Sequence, residues 1–271
     1  MSTKAVDDLR ALSQAVDKGE YVQQASKWQR KLWVRSSPLV YKGKGKQRIE
    51  KGKRLERFSE LSSFIDEQPN AISRADVFTH MQGAKDDPKG LELGFVLAMM
   101  WGFGLTRYGP YRTSVMLESA GSEFGSQLSE VVELLNRKAR SDEDVAAAYQ
   151  KLLELEQCGP AFATKFMYFA SPETARIPIF DSQVVTWLGS EGRKGSTMQK
   201  GRLSARNPQH FFEYYKFCAE ASQQLGITDI GLLEYLMFID QNAARLVSDI
   251  ESLPKWMQKR LAIGNLETLT R

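Results

Sequence analysis

Two side chains in this sequence could do covalent chemistry together: Lys165, and Asp181 sixteen positions later. Lys165 stands among Phe162, Phe166, Met167 and Phe169. Apolar surroundings strip water from an ammonium and favour the free amine. An amine brought from about 10.4 towards roughly 7–8 can attack an electrophilic carbon at neutral pH. Asp181 follows Ile177-Pro-Ile-Phe180 and precedes Val184, Val185, Trp187 and Leu188, which puts it at the start of a helix. A carboxylate held there by backbone N–H groups stays ionised and can steady a cation forming beside it. The plainer roles are a lysine that reaches water from a helix edge and an ordinary helix cap. A cap and a catalytic carboxylate are compatible.

The segments around this pair must position it. A helix carrying Leu152, Leu153 and Leu155 runs into Cys158-Gly-Pro-Ala161. Gly159 permits a tight turn, and Pro160 suits the first turn of a second helix. Small residues at Gly159, Ala161 and Ala163 would let a phosphate approach the backbone N–H groups at that helix start. Most other segments also read as helix. Tyr21, Ala25, Trp28 and Leu32 share one helical face, and Phe58, Leu61 and Ile65 another. Ser73 to Asp76 and Ser141 to Asp144 have the form of capping boxes. Asn207-Pro208 reads as the start of a helix with Phe211, Phe212, Tyr215 and Cys218, and Thr228 as the cap of one with Ile230, Leu233 and Met237. Ile177 to Phe180 contains a proline and reads as an extended connector. The expected fold class is all-α. Stretches 36–52 and 189–207 read as loops.

Composition sets outer limits. The chain has 271 residues, 42% hydrophobic and 26% charged, which fits a folded globular protein. Its net charge of +4 is too small to identify a partner, so the placement of charge matters more than its sum. Cys158 and Cys218 stand far apart, which excludes a four-cysteine cluster and argues against structural zinc or a disulfide framework. His80 and His210 are isolated from metal-ligand spacings. No phosphate-binding loop or serine elbow occurs. The N-terminus lacks a signal-peptide core, and the apolar run 91–105 is too short to span a membrane. The expected location is cytoplasmic, associated with the nucleoid.

The hairpin, the lysine on its second helix and the aspartate opening the next helix resemble helix-hairpin-helix DNA glycosylases with lyase activity. The run Phe162-Ala-Thr-Lys-Phe-Met-Tyr-Phe-Ala170, followed by Ile177-Pro-Ile-Phe-Asp-Ser-Gln-Val-Val185, is similar to their 8-oxoguanine branch. The resemblance implies two helical lobes flanking a central cleft. It divides the chain into an N-terminal helical arm with a basic loop, 1–70, and a glycosylase core, 71–271, with its hairpin near 152–170. It implies that the enzyme flips a damaged or modified base out of double-stranded DNA and excises it. Lys165 would attack the sugar C1′ and Asp181 would assist, with AP lyase activity following from a Schiff base. A monomer is expected, with no cofactor or metal. One departure is that Gly159 is followed by proline, and Lys165 stands six residues beyond it.

A flipped base needs aromatic walls and polar edge contacts. Trp101, Arg107, Tyr111 and Arg112 lie in a glycine-broken stretch that offers both. Tyr168, Phe169 and Asp240 are further candidates for the base pocket. Lys42, Lys44, Lys46, Arg48, Lys53 and Arg54 belong to a concentrated run of cations suited to tracking phosphates. Other readings stay open: a glycosylase that removes a modified phage base in antiviral defence, a non-catalytic helix-hairpin-helix DNA-binding protein, and a helical interaction scaffold.

Overall fold

The computed structural model describes residues 9–14, 25–34, 61–106, 108–191 and 204–246. Within them the chain is all-α apart from one two-residue antiparallel pair, β1 (Ser26–Lys27) with β2 (Ala71–Ile72). Residues 9–14 are helical. The further helices are α1 (Arg30–Val34), α2 (Ser62–Glu67), α3 (Arg74–Gly83), α4 (Pro88–Phe103), α5 (Gly109–Ala120), α6 (Phe124–Leu135), α7 (Asp142–Leu153), α8 (Pro160–Ala170), α9 (Ser182–Glu191), α10 (His210–Leu225) and α11 (Ile230–Leu246).

Two helices organise the core. Helix α4 packs against α3, α5, α6 and α8, and α8 packs against α3, α4, α6 and α7. Both are buried almost all round, as their near-continuous apolar sequences demand. Helix α4 ends where Gly104 adopts φ +53°, a left-handed value that favours glycine. Helix α9 packs on α11, and α10 closes over α11. Among the described residues no helix is long and apolar enough to cross a membrane.

Local chemistry explains most boundaries. Ser73 and Ser141 each accept from the N3 backbone, and Asp76 and Asp144 reach back to complete capping boxes. Other expectations need correction. Among the described residues the helical face drawn through Ala25, Trp28 and Leu32 does not form: Ser26 and Lys27 pair as a strand, and the buried Trp28 ring donates from Nε1 to Pro69 O at 2.6 Å, while Tyr21 lies outside the described residues. Helix α10 begins at His210, because Asn207 Oδ1 caps Gln209 N–H in a preceding turn. The cap of α11 is Asp229, whose Oδ1 accepts from Gly231 N–H at 2.9 Å, and Thr228 does not serve.

Candidate active site

Helix α7 ends at Leu153, and a tight turn leads through Gly159 into α8. The left-handed residue of that turn is Gln157 (φ 69°), while Gly159 is extended (φ −92°) and caps α8. Gly159 is therefore not needed for the turn's conformation. Open space surrounds the position its Cβ would take, so glycine here keeps the surface bare. Arg112, expected at a base pocket, instead braces this turn: Nη2 donates to Gln157 O at 2.5 Å, and the guanidinium lies 5.0 Å over Phe162. Ala161 is half-buried. Ala163 is fully buried and its N–H donates to Gly159 O, so it offers a phosphate nothing, a correction to the expectation.

One turn further into α8, Lys165 is 6% exposed. Its Nζ donates to Asp181 Oδ2 at 2.9 Å. The connector from Ile177 to Phe180 runs extended and fully buried and delivers Asp181 to the start of α9. Asp181 Oδ1 accepts from Gln183 N–H at 2.9 Å and Val184 N–H at 3.4 Å, so one carboxylate caps a helix and grips the amine. Burial pushes the Asp181 carboxyl up. The charge and hydrogen bond of Lys165, with the two backbone N–H groups, outweigh this, and the carboxyl is held below its usual range.

Three supports of this pair carry no obvious sequence signal. Thr164 Oγ1 donates to Pro160 O at 2.8 Å and accepts from Phe180 N–H at 2.9 Å, tying the connector to α8. Gly102 of α4 lies against the aliphatic stem of Lys165. A buried ion pair, Arg74 with Glu234, binds α3 to α11 through contacts of 3.0 and 3.3 Å. Arg74 sits over the rings of Trp101, Tyr168, Tyr235 and Phe238 at 4.7–5.6 Å. Burial pushes the Glu234 carboxyl up against the pull of Arg74, and the carboxyl also feels the charges of Asp181 and Lys165. Glu234 is a lone charge in the apolar run Gly231-Leu-Leu-Glu-Tyr-Leu-Met237, but nothing local names Arg74 as its partner.

The other expected residues divide. Trp101 and Phe169 meet edge to face at 5.1 Å, and Phe169 meets Tyr168 likewise at 5.0 Å, so these three cluster one turn beyond Lys165. Phe169 is wholly buried and packs the core. Asp240 accepts from Trp187 Nε1 at 2.7 Å, joining α11 to α9. Tyr111 is half-buried on α5. Lys42, Lys44, Lys46, Arg48, Lys53, Arg54 and Arg107 lie outside the described residues.

No curated protein and no solved structure matches the chain. A family model described as "Putative 8-oxoguanine DNA glycosylase OGG-like protein" matches residues 20–238. That span takes in Lys165 and Asp181 and the residues that support them, Gly102, Thr164, Arg74 and Glu234. Most of the chain is covered by one family description, and the chain belongs to that OGG-like glycosylase family.

Proposed function

We propose that this protein extrudes an oxidised guanine from double-stranded DNA and cuts its bond to the sugar, with Lys165 as nucleophile and Asp181 as its electrostatic partner. The observation that carries this reading is the 2.9 Å contact between Lys165 Nζ and Asp181 Oδ2, made where both side chains are largely shielded from water. A structural ion pair needs neither a lysine at this point after a hairpin nor a carboxylate that also caps a helix. Membership of an OGG-like family makes DNA with a damaged base the natural partner.

The chemistry follows from the two groups. The amine must shed its proton before it attacks; Asp181, held below the usual carboxylate range, stays ionised, so that proton passes to water. The nitrogen lone pair then forms the bond to C1′ as the base leaves with the electrons of the glycosidic bond. Asp181, still ionised, opposes the positive charge that grows on the sugar ring, and the departing base takes up a proton from water. Ring opening gives a Schiff base on Lys165. Loss of the C2′ proton then expels the 3′ phosphate and nicks the strand. The turn between α7 and α8 serves as the hairpin that meets a phosphate, with Gly159 leaving its surface bare.

Borohydride trapping on duplex DNA bearing 8-oxoguanine opposite cytosine tests the reading. Wild-type protein gives a covalent adduct, and Lys165→Gln gives none. Excision without a trapped adduct would make water the nucleophile. Salt-sensitive binding with no excision of any altered base would reduce the protein to a DNA-binding module.

A further inference from the structure

The guanidinium of Arg74 lies over four aromatic rings: Tyr235 at 4.7 Å, Tyr168 at 4.9 Å, Trp101 at 5.0 Å and Phe238 at 5.6 Å. These rings come from α4, α8 and α11. Trp101 and Tyr168 are buried, while Tyr235 and Phe238 are half-buried, so the box is closed on one side and reaches water on the other. Glu234 is the more deeply placed of the charged pair, 1% exposed in its side chain against 12% for Arg74.

Arg74 meets this carboxylate edge-on, Nη1 to Oε2 at 3.0 Å and Nη2 to Oε1 at 3.3 Å. A flat delocalised group among aromatic faces, with two N–H donors along one edge, also describes guanine. Its N1–H and exocyclic amine offer a carboxylate the same fork. The box adjoins the reacting pair. Trp101 precedes Gly102, which lies against the Lys165 stem, and the Glu234 carboxylate feels the charges of Asp181 and Lys165. Arg74 is nonetheless an incomplete occupant. Trp101 Nε1 is buried and has no acceptor among the described residues. A guanidinium carries donors only and cannot satisfy it, whereas a purine carries acceptors as well. Arg74 is also the first residue of α3, where a cation opposes the helix dipole. Its side-chain partners hold it in the box, and its own helix does not.

We propose that Arg74 is a built-in stand-in for the extruded base, filling the aromatic box in the free protein and leaving it for water when a guanine-type base takes over Glu234 and the rings. This deepens the reading of the protein as a base-extruding glycosylase and rests on it. Glu234 exchanges one two-donor edge for another, so the swap strands no buried charge. Adenine lacks that pair of donors. Displacing Arg74 for adenine leaves Glu234 buried without a partner, so the stand-in also acts against the wrong base.

The test is equilibrium binding of two free nucleosides, those of 8-oxoguanine and 8-oxoadenine, followed by quenching of tryptophan fluorescence. Arg74→Ala empties the box. Arg74→Lys keeps a cation for Glu234 but lacks the planar fork, and it decides alone if Arg74→Ala does not fold. Each variant is expected to bind the guanine nucleoside at least about tenfold more tightly than wild type, because the occupied state no longer competes. The adenine nucleoside gains nothing. Methylguanidinium refills the box of Arg74→Ala, raising its melting temperature and displacing the guanine nucleoside. Unchanged or weaker binding of the guanine nucleoside overturns the stand-in and makes Arg74 a fixed wall. Equal tightening for both nucleosides overturns the mimicry of the guanine edge. A wild-type protein that traps on damaged duplex while its variants bind no tighter rejects the stand-in alone. Variants that bind tighter, in a protein that neither excises nor traps, uphold the box and overturn the glycosylase reading.

Discussion

Gly102 of α4 and Lys165 of α8 touch so closely that a Cβ on Gly102 would lie 2.7 Å from Lys165 Cδ and 3.1 Å from Cε. The stem cannot yield freely, because its far end is fastened to Asp181. Alanine at this helical position would otherwise be favoured by about 0.5–1 kcal/mol over glycine. Overpacking against the fastened stem costs about 1–3 kcal/mol and outweighs that gain, so Gly102→Ala is expected to lower the melting temperature modestly, while borohydride trapping, measured where the variant stays folded, falls by about a hundredfold, the usual result of misplacing a reacting group. Equal activity in the variant, or a loss of stability that matches the loss of activity, would show that the contact does not position the amine.

Asp181 and Glu234 lie near one another and move in opposite directions. Asp181 is held below the usual carboxylate range, so its contribution to stability is present above about pH 3.9 and disappears as pH falls through its lowered value. Glu234 is raised by burial, so its contribution is full in acid and is withdrawn as pH rises from about 4.3 through its raised value. Urea midpoints measured from about pH 2 to 7 check both signs. Asp181→Asn flattens the acid limb, and Glu234→Gln removes the opposing slope above it.

Arg74 and Glu234 are 12% and 1% exposed in their side chains, so removing either partner strands a charge away from water. Arg74→Met is expected to cost about 3–5 kcal/mol. The double variant Arg74→Met/Glu234→Leu recovers most of that loss, because two apolar side chains leave no buried charge behind. A guanidinium denaturation series on both variants decides it: a double variant no more stable than the single one would mean that the aromatic box around Arg74, not the ion pair, supplies the stability.

The residues that act through local rules were legible in the sequence. The capping boxes at Ser73 and Ser141, proline at the start of α8 and aspartate at the start of α9 each depend on neighbours within four positions. Lys165 and Asp181 were legible as a pair, because one buried connector spans the gap between their helices. The Arg74–Glu234 pair joins residues 160 positions apart, and no local pattern announces it. Trp28 misled because an apolar periodicity continued into a stretch where pairing with Ala71–Ile72 wins over helix. Ala163 looked available to a phosphate because it is small. Its smallness instead lets it be wholly buried in the core.

Thr164 offers the sharpest separation of positioning from packing. Its hydroxyl donates to Pro160 O and accepts from Phe180 N–H, the residue just before Asp181, and both contacts are buried. The hydroxyl thus sets where the carboxylate stands relative to the amine one residue along the same helix. Valine has nearly the same shape but no acceptor, so Thr164→Val leaves the Phe180 N–H buried without a partner, at a cost of about 1–3 kcal/mol. Serine keeps the hydroxyl and loses only a methyl group. If the bond positions Asp181, Thr164→Val lowers kcat with little change in KM, and Thr164→Ser restores kcat even though it also loses packing. If the role is packing alone, serine is the worse variant and kcat follows stability in both. Single-turnover excision measured well below each variant's melting temperature distinguishes the two, because a merely weakened fold stays folded there while a displaced carboxylate stays displaced.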